Sequence, residues 1–163
     1  MSTTYTFGDG DLAARRLGLV AEAFEAPSRE LLALASPDEV DSALDLGCGP
    51  GHTTRLLAAT CRPRRTLGLD GSADFVRTAG RLTDDPTVRF AVHDVTALPL
   101  PGAPVDLVYA RLLLAHLPDP PALAERWRTQ LRPGGALVLD EVEAIAPPPG
   151  VLREYLDLVE ANH

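Results

Sequence analysis

Gly47, Gly49 and Gly51 alternate with other residues two positions after an acidic side chain, Asp45, which itself closes an apolar run. Glycine has no Cβ and takes positive φ readily. Such a stretch lets a ligand press against main chain and meet free N–H groups and the N-terminus of a following helix. Nineteen residues beyond Gly51 comes Asp70, at the end of Thr66-Leu67-Gly68-Leu69-Asp70. An acidic residue at about that spacing can accept both hydroxyls of a ribose, although an Asp at a strand end taken alone is more often a turn or cap residue. Two more polar clusters close apolar runs: His93-Asp94-Val95, and the segment from Arg111 to Asp119 that contains His116. The ordinary imidazole pKa suits removal of a proton from a hydroxyl or amine, which makes His116 the candidate general base. His52 stands where the dinucleotide fingerprint G-x-G-x-x-G needs a third small residue, and this argues against a nicotinamide cofactor.

The elements that must position these groups follow from periodicity. From Val40 onward, short apolar runs alternate with amphipathic stretches, the signature of βαβ units and a parallel sheet. Strands are expected at Ser42–Leu46, Thr66–Asp70, Val88–Val92, Val105–Tyr109 and Ala136–Glu141, and helices at about His52–Cys61, Ser72–Leu82 and Pro120–Leu131. Ser72 and Asp119 suit N-cap positions, and Pro120 suits a first helical turn. The run Arg132-Pro133-Gly134-Gly135 reads as a stop before the last strand. Ahead of the sheet, Asp11–Phe24 and Arg29–Ala35 read as two N-terminal helices broken at Pro27-Ser28. After it, Pro147–Gly150 reads as a stiff hinge before an amphipathic helix at Val151–Glu160.

A chain of 163 residues holds one hydrophobic core and is too short for two ordinary domains. We therefore expect one domain over 1–163, with a helical cap at 1–38, a ligand-binding core at 39–142 and a linker and helix at 143–163. No apolar run approaches the roughly 18 residues of a membrane span, and Met1–Tyr5 lacks the basic start of a secretory signal, so a cytoplasmic location away from membranes is expected. Cys48 and Cys61 have neither metal-site spacing nor the count of a disulfide scaffold and read as reduced thiols. The four histidines are scattered, and no metal site is expected. A net charge of −8 disfavours nucleic acid as a partner.

Between Val40 and Glu141 the chain resembles the class I S-adenosylmethionine-dependent methyltransferases. The resemblance rests on the D-x-G-x-G-x-G of Asp45–Gly51, on Asp70, on Asp94 and on Leu131-Arg132-Pro133-Gly134-Gly135. It implies a Rossmann-like, doubly wound parallel α/β sheet of five strands in the order 3-2-1-4-5. It implies S-adenosylmethionine as cofactor, with S-adenosylhomocysteine as product, held by Asp45, Gly47, Cys48, Gly49, Gly51, Asp70, Gly71, Ser72, Asp94, Val95 and Arg111. In this picture Asp94 accepts from the adenine amine, Val95 covers the ring and Arg111 reaches the methionine end. Similar sequences commonly carry a histidine at the place of His116 as a support of the loop, which competes with its catalytic reading. Glu141 and Glu143 either line an acceptor site or are solvated, while Arg15 and Arg16 could clamp a carboxylate.

The implied reaction is methyl transfer to a small-molecule acceptor, a metabolite or natural product. The alternative is a module that binds the cofactor without turnover. The family's sixth and seventh strands have no counterpart before His163. An apolar, unpaired fifth-strand edge tends to pair with another chain, so a shortened chain, a homodimer through that edge or the C-terminal helix, and a partner that supplies strands are the three expectations.

Overall fold

A computed structural model describes residues 11–142, with side chains from residue 17 onward. The expected hinge and helix at 147–160, Glu143 and the side chains of Arg15 and Arg16 lie outside the described residues.

The chain order is α1 (Asp11–Ala35), β1 (Ser42–Leu46), α2 (His52–Cys61), β2 (Arg65–Asp70), α3 (Ala73–Arg81), β3 (Val88–Val92), β4 (Val105–Arg111), α4 (Pro120–Arg128) and β5 (Leu131–Asp140). All strands are parallel, in the order β3-β2-β1-β4-β5. Every residue of β1 is buried, as befits the middle strand of a sheet covered on both faces. On one face Leu32 of α1 and Leu56 and Leu57 of α2 pack on Ala43, Leu107, Tyr109 and Val138. On the other, Leu123 and Trp127 of α4, with Val95 and Leu100 of the β3–β4 connection, pack on Leu44, Leu46, Leu69 and Val108.

Register fixes where a ligand can bind. Leu46 lies level with both Leu69 and Ala110, Asp70 with Val92, and Arg111 with Asp140. The carboxyl ends of all five strands therefore share one rim, the usual ligand edge of an open parallel sheet.

Two expectations are corrected. The N-terminal segment is a single helix, α1, that continues through Pro27. Proline deletes one helical N–H, but packing supplies more than that bond: Ser28 is buried and donates to Asp140 Oδ2 at 2.6 Å, Leu32 is fully buried, and Glu25 and Arg29 form an ion pair across the proline at 2.8 Å. The expected stop at Arg132–Gly135 is instead part of β5. Leu131 pairs with Val105 and Ala136 with Leu107, so the intervening residues bulge out. Gly134 takes φ +83°, and a Cβ on Gly135 would stand 2.9 Å from the Asp106 carbonyl, which is why glycine occupies both places. Helix α4 accordingly ends at Arg128, three residues early, and β4 runs on to Arg111.

Candidate ligand-binding site

Asp45 is a carboxylate placed in the core, 0% exposed on the fully buried β1. The first turn of α2 answers it: the hydroxyls of Thr53 and Thr54 both donate to Asp45 Oδ2 at 2.6 Å. Oδ1 is buried and has no hydrogen-bond partner among the described residues. Burial raises the Asp45 pKa to about 6; the threonine hydroxyls and the Arg111 charge pull it down, and the charge of Asp70 pushes it up. A buried oxygen left unpaired is costly. The two threonines were not legible as site residues, though hydroxyls directly after a glycine loop were a usable signal.

The glycine loop turns through three positive φ values, +68° at Gly47, +52° at Gly49 and +84° at Gly51. Its first amides are bound to the neighbouring strand, with Gly47 N and Cys48 N donating to the Leu69 carbonyl at 2.8 and 3.0 Å. Gly49 N donates to Asp70 Oδ2 at 2.8 Å, and Ser72 N donates to Asp70 Oδ1 at 2.8 Å. Two backbone donors thus fix the plane of the Asp70 carboxylate and leave each oxygen a further lone pair, the pattern that suits a vicinal diol. Burial raises the Asp70 pKa, and the Ser72 and Gly49 amides oppose this. Ser72 also caps α3, accepting from Phe75 N, and Gly71 has open space around the position of a Cβ. Cys48 is buried, and burial together with Asp45 and Asp70 drives its thiol pKa up, so it sits in the loop as an inert neutral group.

The third strand end joins the same rim, because His93 N donates to the Asp70 carbonyl at 2.9 Å. Asp94 is exposed, and its Oδ1 accepts from Thr96 N at 2.9 Å and Thr96 Oγ1 at 2.7 Å. Those bonds lower its pKa and leave Oδ2 open among the described residues. Val95 is 7% exposed and packs in the core, while its carbonyl accepts from the fully buried Trp127 Nε1 at 2.9 Å. The structure therefore brings Asp45, Gly49, Asp70 and Asp94 to one edge of the sheet.

Arg111 takes a different direction. Its Nη1 donates to Ser28 Oγ of α1 at 3.2 Å, and Ser28 in turn donates to Asp140 Oδ2, which also accepts from Tyr109 Oη at 2.8 Å. The next residue, Leu112, holds φ +51°, an unusual conformation for a bulky side chain, and Leu112 N donates to the Asp140 carbonyl. This kink drops Leu113 onto Gly47: a Cβ there would lie 2.7 Å from Leu113 Cδ1. Glu141 Oε1 accepts from Leu113 N and Leu114 N at 2.8 and 2.9 Å, so that carboxylate holds the connection after β4 in place. His116 lies exposed at the end of the single 3-10 turn that follows.

His52 Nδ1 lies 3.1 Å from Arg55 Nη2; a guanidinium cannot accept, so Nδ1 is the acceptor and the proton of the neutral ring sits on Nε2. Burial, then the charges of Arg55 and Arg111, lower the His52 pKa. These residues border a cleft of about 330 Å³ between α1 and α2. Among the described residues no cluster of His, Cys, Asp or Glu could hold a metal ion, and no helix is long and apolar enough to cross a membrane.

The profile of the methyltransferase domain family matches residues 44–139. The trans-aconitate 2-methyltransferase of Azoarcus sp. (strain BH72) is 38% identical over 112 residues, covering 69% of this chain and 43% of that protein. Among solved structures, a putative methyltransferase in complex with the Haloferax volcanii Trm112 methyltransferase activator is 31% identical with a TM-score of 0.66, covering 76% of this chain and 54% of the other. An S-adenosylmethionine-dependent methyltransferase from Mesorhizobium loti is 28% identical with a TM-score of 0.59, covering 71% and 52%. The chain spans less than half the length of the curated relatives it matches.

Proposed function

This chain belongs to the class I S-adenosylmethionine-dependent methyltransferase family, and from that premise we propose that it binds S-adenosylmethionine on the rim formed by β1 to β4 and transfers its methyl group to a small-molecule acceptor. The observation that carries the reading is the buried Asp45 Oδ1, unpaired among the described residues, beside an Asp70 carboxylate whose two backbone donors leave it able to receive a diol. Both features fit such a nucleoside: a cationic amino group, directly or through a water, satisfies Asp45, and ribose hydroxyls satisfy Asp70. Asp94 Oδ2 is free to accept from an adenine amine, with Val95 beside it. Gly47, Gly49 and Gly51 keep the loop low enough for contact, with Cys48 as a neutral spacer and Gly71 and Ser72 completing the Asp70 turn.

When bound, the cofactor supplies a sulfonium-activated methyl group, so the protein's task is placement and exclusion of water. Leu113, seated on Gly47 and tied down by Glu141, supplies an apolar wall to the loop. Helix α1 closes the other side, with Leu17 3.7 Å from the place of a Cβ on Gly49. A general base is not required by this arrangement, and His116, exposed on the turn after β4, is the candidate where the acceptor must lose a proton.

The acidic acceptor named for the relatives, trans-aconitate, makes a small carboxylic acid the first acceptor to try. Incubation with methyl-labelled S-adenosylmethionine and a panel of small carboxylic acids should move label into an acceptor. Retention of cofactor with no transfer to any acceptor would favour a binding module. One observation supports that second reading: β5 is an edge strand of the described sheet, open to strands supplied by a homodimer or another partner.

A further inference from the structure

The cleft between α1 and α2 holds an imbalance of charge. Arg29, Arg55 and Arg111 all line it, together with Glu22 and Glu25. Arg29 is already paired with Glu25 at 2.8 Å. Arg55 and Arg111 are half-buried, and among the described residues every hydrogen-bond partner they have is neutral. Arg55 reaches Pro50 O and Thr83 Oγ1, each at 3.3 Å, and His52 Nδ1 at 3.1 Å, whereas Arg111 reaches Ser28 Oγ at 3.2 Å. Among the described residues neither guanidinium has a carboxylate within 4.0 Å, and Glu22 is exposed to solvent. Arg111 acts on the Asp45 charge from a distance without touching that carboxylate, and Arg55 has no acidic contact among the described residues, so both half-buried cations carry a desolvation cost that an anion in the cleft would relieve.

The two groups also act on common ground. Both depress the pKa of His52, the first residue after the glycine loop, and Arg111 extends from the end of β4, on the same rim as Asp45. The cleft is therefore adjacent to the proposed cofactor loop and of a size for a small metabolite.

We propose that this cleft receives the carboxylates of an anionic methyl acceptor, with Arg55 and Arg111 as the groups that hold them. The inference rests on the methyltransferase reading above and adds to it the residues that hold the acceptor's carboxylates. A planar guanidinium binds a carboxylate through two parallel N–H donors, which gives orientation as well as attraction. A polycarboxylate engages both arginines at once, beside His52, which lines the same cleft and accepts from Arg55.

The test is calorimetric titration of the full chain with tricarballylate, a three-carboxylate probe, and with its trimethyl ester, each with and without S-adenosylhomocysteine. The expected result is saturable binding of tricarballylate and none of the ester. Arg55→Gln and Arg111→Gln should each weaken tricarballylate about ten- to a hundredfold, and Arg111→Lys should recover only part, since it restores charge without the fork. Arg55→Gln should keep S-adenosylhomocysteine affinity within about twofold, which shows the variant is folded. Absence of tricarballylate binding in a wild-type chain that binds S-adenosylhomocysteine overturns the proposal alone. So does a loss confined to S-adenosylhomocysteine in the variants, which would assign the arginines to the cofactor's own carboxylate. A wild-type chain that takes tricarballylate and not S-adenosylhomocysteine overturns the acceptor assignment together with the methyltransferase reading.

Discussion

Replacing Asp45 by Asn should remove a pH-dependent cost that the folded protein carries for its site. In the free chain the carboxylate is fully buried, one oxygen accepts two threonine hydroxyls and the other has no partner among the described residues. Its pKa is raised by burial from 3.8 to about 6. Well below pH 3.8 the group is protonated in folded and unfolded chains alike and costs nothing. As the pH rises toward 6 the unfolded chain gives up its proton first, so stability falls across that window and then levels off. With 1.36 kcal/mol for each pKa unit, the fall attributable to Asp45 is about 3 kcal/mol. Asn has no such proton. Its side-chain oxygen can still accept from Thr53 and Thr54, while its NH2 meets the place where a cationic ligand group is expected. Urea unfolding followed by circular dichroism from pH 4 to 8 gives the assay. The difference in stability between wild type and Asp45→Asn should move by about 2.4 kcal/mol in favour of the variant as pH rises from 4 to 8, while S-adenosylhomocysteine binding by the variant weakens. Parallel pH profiles for the two proteins would refute the assignment of an ionised, uncompensated carboxylate at Asp45.

Other substitutions probe the loop and its supports. Gly47→Ala places a side chain at φ +68° and 2.7 Å from Leu113 Cδ1, so it should cost about 1–3 kcal/mol in urea unfolding; Gly71→Ala, with nothing within 4 Å, is the control and should be neutral. Trp127→Phe removes the donor to the Val95 carbonyl and should cost about 2 kcal/mol with an unchanged urea m-value; a loss under about 0.5 kcal/mol would show that water replaces that bond freely. Between about pH 5 and 7, binding of a cationic ligand beside Asp45 should release a proton, visible as a dependence of the calorimetric enthalpy on buffer ionisation; no dependence would place the cation elsewhere.

The sheet could be read from sequence because its signals are local. Each strand from Ser42 onward is a short apolar run, and glycine or proline punctuation separates it from the next helix. The misreadings came where distant contacts outweigh local preference. Pro27 stops a helix by every local rule, yet α1 continues because Ser28 finds Asp140, 112 positions away. The glycines at 134 and 135 look like a turn, but the backbone of β4 passes so close that the same residues form a bulge inside β5. In the site, the backbone loop and Asp70 were legible from spacing. The side chains packed around them were not: Thr53 and Thr54 on Asp45, Leu113 over Gly47, and Arg55 beside His52. Arg111 illustrates the reason, since the end of β4 fixes its place on the rim while only the path of α1 decides which way its guanidinium turns.

The central claim is that the glycine loop, Asp45, Asp70 and Asp94 form one adenosine-binding edge. Calorimetric titration of S-adenosylhomocysteine into wild type and Asp70→Ala tests it most directly. The account predicts saturable binding by the wild type, weakened by about 1.5–3 kcal/mol in the variant. Equal affinity in the two proteins would contradict it.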